Sequence, residues 1–213
     1  MRNIFLDLKI KKELKKFQEF KQNFKFELPE IETKKDGSVF VEGYCLKDGK
    51  TGEVFAEQEN LIDIGFLYHG VFPKVLSNLF RYSFYFKGHK FESIEAVFQA
   101  MKIKNKSVQR KVFGYSGMVS NKVKAFADYD WKKDGIVYFQ GRAMKRDSKE
   151  YDNFIDEMYV AVLQNPLYRQ ALKNTGNKIL LHTMGLNNKN ETLFTRYEFE
   201  KQINALRDFV NKN

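Results

Sequence analysis

Only one cysteine, Cys45, occurs in the 213 residues. No intramolecular disulfide can close, and neither a cysteine-rich zinc site nor a resolving-cysteine pair can form. A lone thiol predicts a reducing, cytoplasmic setting. Histidine is almost as scarce, with three residues, and three histidines with one cysteine offer no familiar zinc-ligand spacing. Neither a Gly-x-x-x-x-Gly-Lys-Ser/Thr phosphate loop nor a Gly-x-Gly-x-x-Gly fingerprint is present, so P-loop and dinucleotide-fold chemistry have no sequence support. Proline falls to 3 residues, which speaks against long linkers. No stretch approaches the roughly 20 apolar residues of a bilayer span. Asp7 and Lys9 interrupt the N-terminus before a signal-peptide core could form, so no membrane association is expected. Repeats and low-complexity tracts are absent.

What the chain does have is aromatic bulk and positive charge. It holds 21 Phe and 11 Tyr within a 43% hydrophobic composition, enough for one sizeable core. The formal net charge of +10 suits a phosphorylated or polyanionic ligand, nucleic acid included, because a basic surface attracts such partners. It equally suits a solubilising lysine surface.

Ile4, Phe5, Leu8, Leu14, Phe17, Phe20 and Phe24 recur at helical spacing and predict an amphipathic helix over residues 3–24. Its Lys-rich face, Lys9 to Lys25, reads either as a solvated surface or as a phosphate-contacting one. Residues 38–58 predict a β-hairpin around a turn at 48–52, and further strands are expected within 61–68 and 82–86. Helices are expected at 94–102, 106–113, 117–127, 131–147, 150–163, 166–174 and 197–210, with a short strand at 179–182. The expected class is α+β, mostly helical with a small sheet. Residues 1–60 form an N-terminal helix and hairpin extension, and 61–213 form the catalytic-sized domain. On that division, removing residues 1–30 leaves the second part folded.

The helix after Ser93, a good N-cap, carries chemistry as well as core. Ile94, Val97, Phe98 and Met101 make its buried stripe, while Glu95, Gln99 and Lys102 share another face. An acid, an amide and a cation in one row read as a solvated stripe with i,i+4 contacts or as part of a site.

Three linked elements bear on that choice: Leu76-Ser77-Asn78-Leu79-Phe80, Phe86-Lys87-Gly88-His89-Lys90-Phe91, and Ser93-Ile94-Glu95-Ala96-Val97-Phe98-Gln99-Ala100-Met101-Lys102. Together they resemble the NADAR (YbiA-like) family, whose signature is a Ser-Asn-Phe element, a glycine turn and a Ser-x-Glu-x-x-x-Gln-x-x-Lys helix. Later landmarks near Met118, Trp131, Met144, Thr175-Gly176 and His182 extend the resemblance over about residues 62–210. It implies an N-glycosidase that splits the bond between a base-like nitrogen and ribose, in riboflavin-pathway intermediates or in ADP-ribose attached to guanine in nucleic acid. Glu95 then matches the catalytic glutamate. Asn78, Gln99, Lys102, Trp131 and His182 fall at substrate-binding positions, although Trp131 and His182 each also read as structural. Arg110, Lys111, Lys122 and Lys124 are additional phosphate candidates. The family's late Asp-x-x-Trp-Gly element has no counterpart in residues 184–194, which leaves Asp128 and Asp130, with Glu191, as candidates for a second catalytic acid. The implied chemistry needs no cofactor and no metal. The alternative from a different class is a nucleotide or nucleic-acid binding protein without turnover. A third is a structural or inhibitory protein that docks an acidic partner through its Lys-rich helix.

Overall fold

The computed structural model describes residues 4–65, 67–120, 122 and 130–213. Helix α1 (Ile4–Gln22) is followed by strands β1 (Ile31–Thr33), β2 (Val39–Val41), β3 (Tyr44–Lys47) and β4 (Leu61–Asp63), then by the short helix α2 (Val71–Val75). The hairpin β5 (Phe84–Phe86) and β6 (His89–Phe91) leads into α3 (Ile94–Met101), α4 (Lys106–Phe113) and α5 (Gly117–Ser120). A second hairpin, β7 (Ile136–Phe139) and β8 (Arg142–Lys145), precedes α6 (Lys149–Val162), α7 (Pro166–Asn174), β9 (Ile179–Leu181) and α8 (Arg196–Lys212). The class is α+β as expected. The strands do not join into one sheet, however. Among the described residues they form a three-stranded sheet β1-β2-β3 and the pairs β4-β9, β5-β6 and β7-β8.

The segment expected to be a helix over 131–147 is instead the β7-β8 hairpin. Ile136-Val137-Tyr138-Phe139 is β-branched and aromatic, a composition that favours a pleated surface. Gln140 and Gly141 both take positive φ, 47° and 85°, the requirement of a two-residue turn whose twist matches the strands it joins. The first hairpin likewise turns at Glu42 and Gly43, with φ of 50° and 81°, so β2 and β3 meet ahead of the expected turn. Residues 48–52 instead bring Val54 back to a single bridge with Lys47.

Helix α3 sits at the centre, with seven of its eight residues buried. The parallel pair β4-β9 leads, through Ile64 and His182, to a cavity that α3 also lines. Asn204 on α8 acts as a further rung of that pair: its Oδ1 accepts from Leu180 N at 3.1 Å and its Nδ2 donates to Leu180 O at 2.8 Å. A buried amide that satisfies both backbone groups replaces a neighbouring strand.

Helix α1 does not stand apart from this core. Ile10 and Phe17 are buried in the main hydrophobic cluster, with Leu6, Leu14, Phe20 and Phe24 packed against it. The Phe17 ring meets Phe209 edge-on at 5.5 Å. Phe5 and Leu8, expected on the inner stripe, are 86% and 58% exposed; they lie on the helix face opposite Ile10 and Phe17. Core packing also crosses residue 60, since Val41 and Leu46 cluster with Leu61 and Leu181. Phe17→Ala is therefore expected to lower the unfolding free energy by about 3–5 kcal/mol, the range for emptying a fully buried aromatic site. Urea unfolding followed by circular dichroism measures it, and a loss below about 1 kcal/mol would mean that α1 is only loosely attached.

Candidate functional site

Ser93 starts α3 by accepting a hydrogen bond from Ala96 N at 3.1 Å, which satisfies one of the donors a helix leaves free at its N-terminus. Glu95 follows in the first turn, and its own N–H donates to Asn78 O at 2.9 Å. One turn later Gln99 Nε2 donates to Glu95 Oε1 at 2.5 Å, and Lys102 Nζ donates to Gln99 Oε1 at 3.2 Å. The row of acid, amide and cation expected from the sequence is thus a hydrogen-bonded chain. Gln99 is buried while Glu95 and Lys102 stay partly open.

These side chains line a cavity of about 220 Å3 with Ser77, Asn78, Leu79, Ile64, His182 and a wall of Phe98, Thr192, Leu193, Phe194 and Phe199. His182 follows β9 and is held at two points. Its ring Nδ1 lies 2.7 Å from Ile64 O, and its backbone N donates to Glu200 Oε1 at 2.7 Å. The carbonyl partner makes Nδ1 the protonated nitrogen and leaves Nε2 as the other. Gly185 lets the following loop close on this ring, because a Cβ there would come within 2.8 Å of His182 Cδ2. Tyr159 donates its hydroxyl to Asn78 Oδ1 at 2.9 Å, so the Asn78 amide hydrogens remain for a ligand. Phe98 and Phe194 stack at 5.4 Å, and Phe194 meets Phe199 edge-on at 6.4 Å.

Burial pushes the Glu95 carboxyl above the ordinary value of 4.5, opposed by the Gln99 hydrogen bond and by the charges of Lys102 and His182. It is the one acidic side chain among the described residues that line this cavity. At the end of β4, Asp63 is also raised by burial, but Thr183 offsets this with its backbone N at 2.9 Å and its hydroxyl at 2.5 Å.

Glu95, Asn78, Gln99, Lys102 and His182 are therefore brought together. Trp131 is not: it is 5% exposed and belongs to the main core rather than to the cavity wall, which corrects the substrate-binding assignment in favour of packing. Asp130 is exposed and accepts from Lys132 N at 3.2 Å within its own turn, so it does not reach the cavity as a second acid. Asp128 and Lys124 lie outside the described residues. Glu191 is exposed and bonded to Asn188 Nδ2 at 3.2 Å. Arg110, Lys111 and Lys122 are exposed and line no part of the cavity. Sequence reading passed over the aromatic wall and Tyr159. The Phe-rich composition alone gave no way to tell which rings face a cavity. No group of three or more His, Cys, Asp or Glu among the described residues could hold a metal ion, and none of the described helices is long and apolar enough to cross a membrane.

Fold and site together define an α+β domain with a half-buried glutamate at the head of its central helix. The family model described as bacteriophage protein GP30.3 matches residues 71–208. The chain belongs to this NADAR-like family, which bears out the resemblance carried by the Glu95 helix. A relative from Enterobacteria phage T4, described as an uncharacterized 17.1 kDa protein in the Gp30-rIII intergenic region, is 33% identical over 137 residues, 62% of this chain and 88% of that protein. The NMR structure of the E. coli protein YbiA is similar over 71% of this chain and 85% of its own, at 14% identity and a TM-score of 0.47. Helix α1 and the β1-β2-β3 sheet lie outside the family match.

The raised Glu95 carboxyl has a consequence for stability. The folded chain holds this proton more tightly than the unfolded chain, so the contribution is favourable below about pH 4.5 and is lost as pH rises through the folded value. Glu95→Gln, which removes the ionisable group and keeps its shape, is expected to match or exceed the parent Tm at pH 7. The advantage should shrink on acidification toward pH 4, as differential scanning calorimetry would record. A Tm at pH 7 well below the parent's would show that the carboxylate is instead a stabilising partner.

Proposed function

We propose that the chain is an N-glycosidase acting on the bond between a base-like nitrogen and C1′ of a ribose that carries phosphate or ADP. ADP-ribosylated guanine in nucleic acid and ribosylated riboflavin-pathway intermediates are the substrate classes. The observation that carries this reading is Glu95. It is a carboxylate with raised proton affinity in a ribose-sized cavity, and its neighbours there are the donors of Gln99, Lys102, Asn78 and His182.

As the C1′–N bond lengthens, its electron pair leaves with the nitrogen and positive charge grows on C1′ and the ring oxygen. A fixed anion beside that carbon lowers the barrier because it need not reorganise as charge develops. Water then adds its oxygen to C1′ and gives a proton to Glu95, whose raised affinity suits a general base. The departing nitrogen takes up one proton. His182, whose Nδ1 is held by Ile64 O and which lines the same wall, is placed to hand it over from Nε2. The Asn78 amide suits a ribose hydroxyl and Lys102 a phosphate oxygen. The aromatic wall of Phe98, Phe194 and Phe199 supplies an apolar face for the sugar and its substituents.

Glu95→Gln is expected to lower kcat by on the order of a hundredfold or more while the fold is kept. Incubation with ADP-ribosylated DNA, NAD, ADP-ribose and riboflavin intermediates, with products read by mass, measures this. Unchanged turnover in the variant would sink the assignment. Tight binding without any released base would instead favour a nucleotide-binding protein. Because the carboxylate is the active form, the acid limb of the kcat/KM profile should lie above pH 4.5, the ordinary value for this group. An acid limb below that value would place the essential ionisation on another residue. Salt dependence of binding separates the substrate classes. A nucleic acid that crosses the basic surface should lose orders of magnitude in affinity between about 50 and 200 mM salt, whereas a small phosphorylated metabolite should change little.

A further inference from the structure

A second cleft, larger than the cavity that holds Glu95, opens elsewhere among the described residues. It lies between α1, α6 and α8, with a volume of about 610 Å3, and Phe194 lines both. The partition between them is fixed from the cleft side, where the Tyr151 hydroxyl donates to Leu193 O.

We infer that this cleft is a second subsite, which receives the planar nucleobase attached to the ribose held beside Glu95, with Phe194 marking the boundary between sugar and base. The inference rests on the glycosidase reading above. Its first support is Gln202 in the cleft wall. This side chain is 1% exposed; its Oε1 accepts from Lys21 Nζ, and its Nε2 is buried with no hydrogen-bond partner. A buried N–H left unpaired is unfavourable, and because Gln202 lines the cleft, a turn of its side chain would offer that N–H to a ligand carbonyl or ring nitrogen.

The second support is charge. The cleft carries Lys21, Lys149 and Lys201 against Asp152, Asp156 and Glu198, and Lys21 is already paired with Asp156 at 2.5 Å. Such a balanced wall does not select a phosphate. At the Glu95 cavity the neighbouring sequence is of one sign, since residues 96–127 contain Lys and Arg but no Asp or Glu, and Lys102 lines that cavity. The substrate is therefore oriented with phosphate toward Lys102 and base toward Gln202. The remaining groups fit a heterocycle. The exposed Asp152 carboxylate accepts from a ring N–H, and the exposed ring of Tyr197 offers stacking. Lys21 belongs to α1, outside the family match, and with Gln18 and Gln22 it forms the side of this subsite that the family does not share.

Titration calorimetry of the full chain with guanosine 5′-monophosphate and with ribose 5-phosphate tests this, with chromatography confirming that the nucleotide is recovered intact. The nucleotide is expected to bind at least tenfold more tightly. Gln202→Leu, and independently the exposed Asp152→Ala, should each remove most of that difference while ribose 5-phosphate affinity is kept. Equal affinity for the two probes, no detectable nucleotide binding, or a preference that survives both substitutions would overturn the proposal. A base preference with no turnover of any N-glycoside would uphold the subsite and remove the glycosidase reading. Turnover abolished by Glu95→Gln with no base preference would do the reverse.

Discussion

Glu95 projects from a helix whose other residues are all buried, and its carboxylate is drawn into an apolar surround by the packing of Ile94, Val97, Phe98 and Met101. A charge so placed is unfavourable unless donors converge on it. Much of the neighbouring architecture answers that constraint. The Ser93 cap fixes where α3 begins, the helical repeat sets Gln99 one turn above the acid, and Lys102 stands at the helix end to polarise the amide from behind. His182 reaches the same cavity from β9, more than eighty residues later in the chain. The parallel pairing of β4 with β9 is what brings it there.

The wall opposite α3 is built by the stretch between β9 and α8, and its rigidity has identifiable causes. Thr195 caps α8 in a reciprocal pair with Glu198, which fixes the helix start immediately after Phe194. Arg196 then lies buried against Glu200 at 2.7 Å and donates to Pro29 O at 3.0 Å. One guanidinium thereby ties the N-terminal segment, the C-terminal helix and, through Glu200, the backbone of His182 into a single network. Removing one member would leave the others buried and unpaired, which is the costly outcome for such networks.

Legibility from the sequence followed the range of the interactions involved. The α3 row was readable because helical periodicity and an N-cap are local, and the spacing of Glu95, Gln99 and Lys102 alone sets their order. The β7-β8 hairpin was missed because apolar residues near 136–144 also fit a helical spacing. The deciding feature is a turn of Gln140 and Gly141 at positive φ, less marked in sequence than Asn-Gly. Trp131 could be a stacking platform or core by residue type, and only tertiary packing places it in the core. Helix α1 is legible as a helix, whereas its share in the main core is not. Its buried stripe runs through Ile10 and Phe17, whereas Phe5 and Leu8 are apolar residues left in solvent, and hydrophobicity alone does not say which apolar side of a helix is covered. The cavity's aromatic wall comes from α3, the 192–194 loop and α8, a long-range meeting with no local signature.

Three carboxylates near the β4-β9 pair are pushed up by burial, and they differ in how their charge is compensated. Asp63 receives two hydrogen bonds from Thr183, and Glu200 receives the Arg196 guanidinium together with the His182 backbone. Both are compensated by direct partners and serve to lock strands and helix together. Glu95 accepts from a neutral amide, with its cations one group removed. Evolution of stability alone would supply a direct cation or replace the acid, since an undercompensated buried charge is a standing cost to folding. Such a group, open to a cavity and flanked by the side chains of Gln99, Asn78 and Lys102, is the kind of perturbed carboxyl on which the proposed reading rests. Asp63 and Glu200 share its burial but open onto no part of that cavity, so the distinction rests on compensation and access together rather than on a raised proton affinity alone.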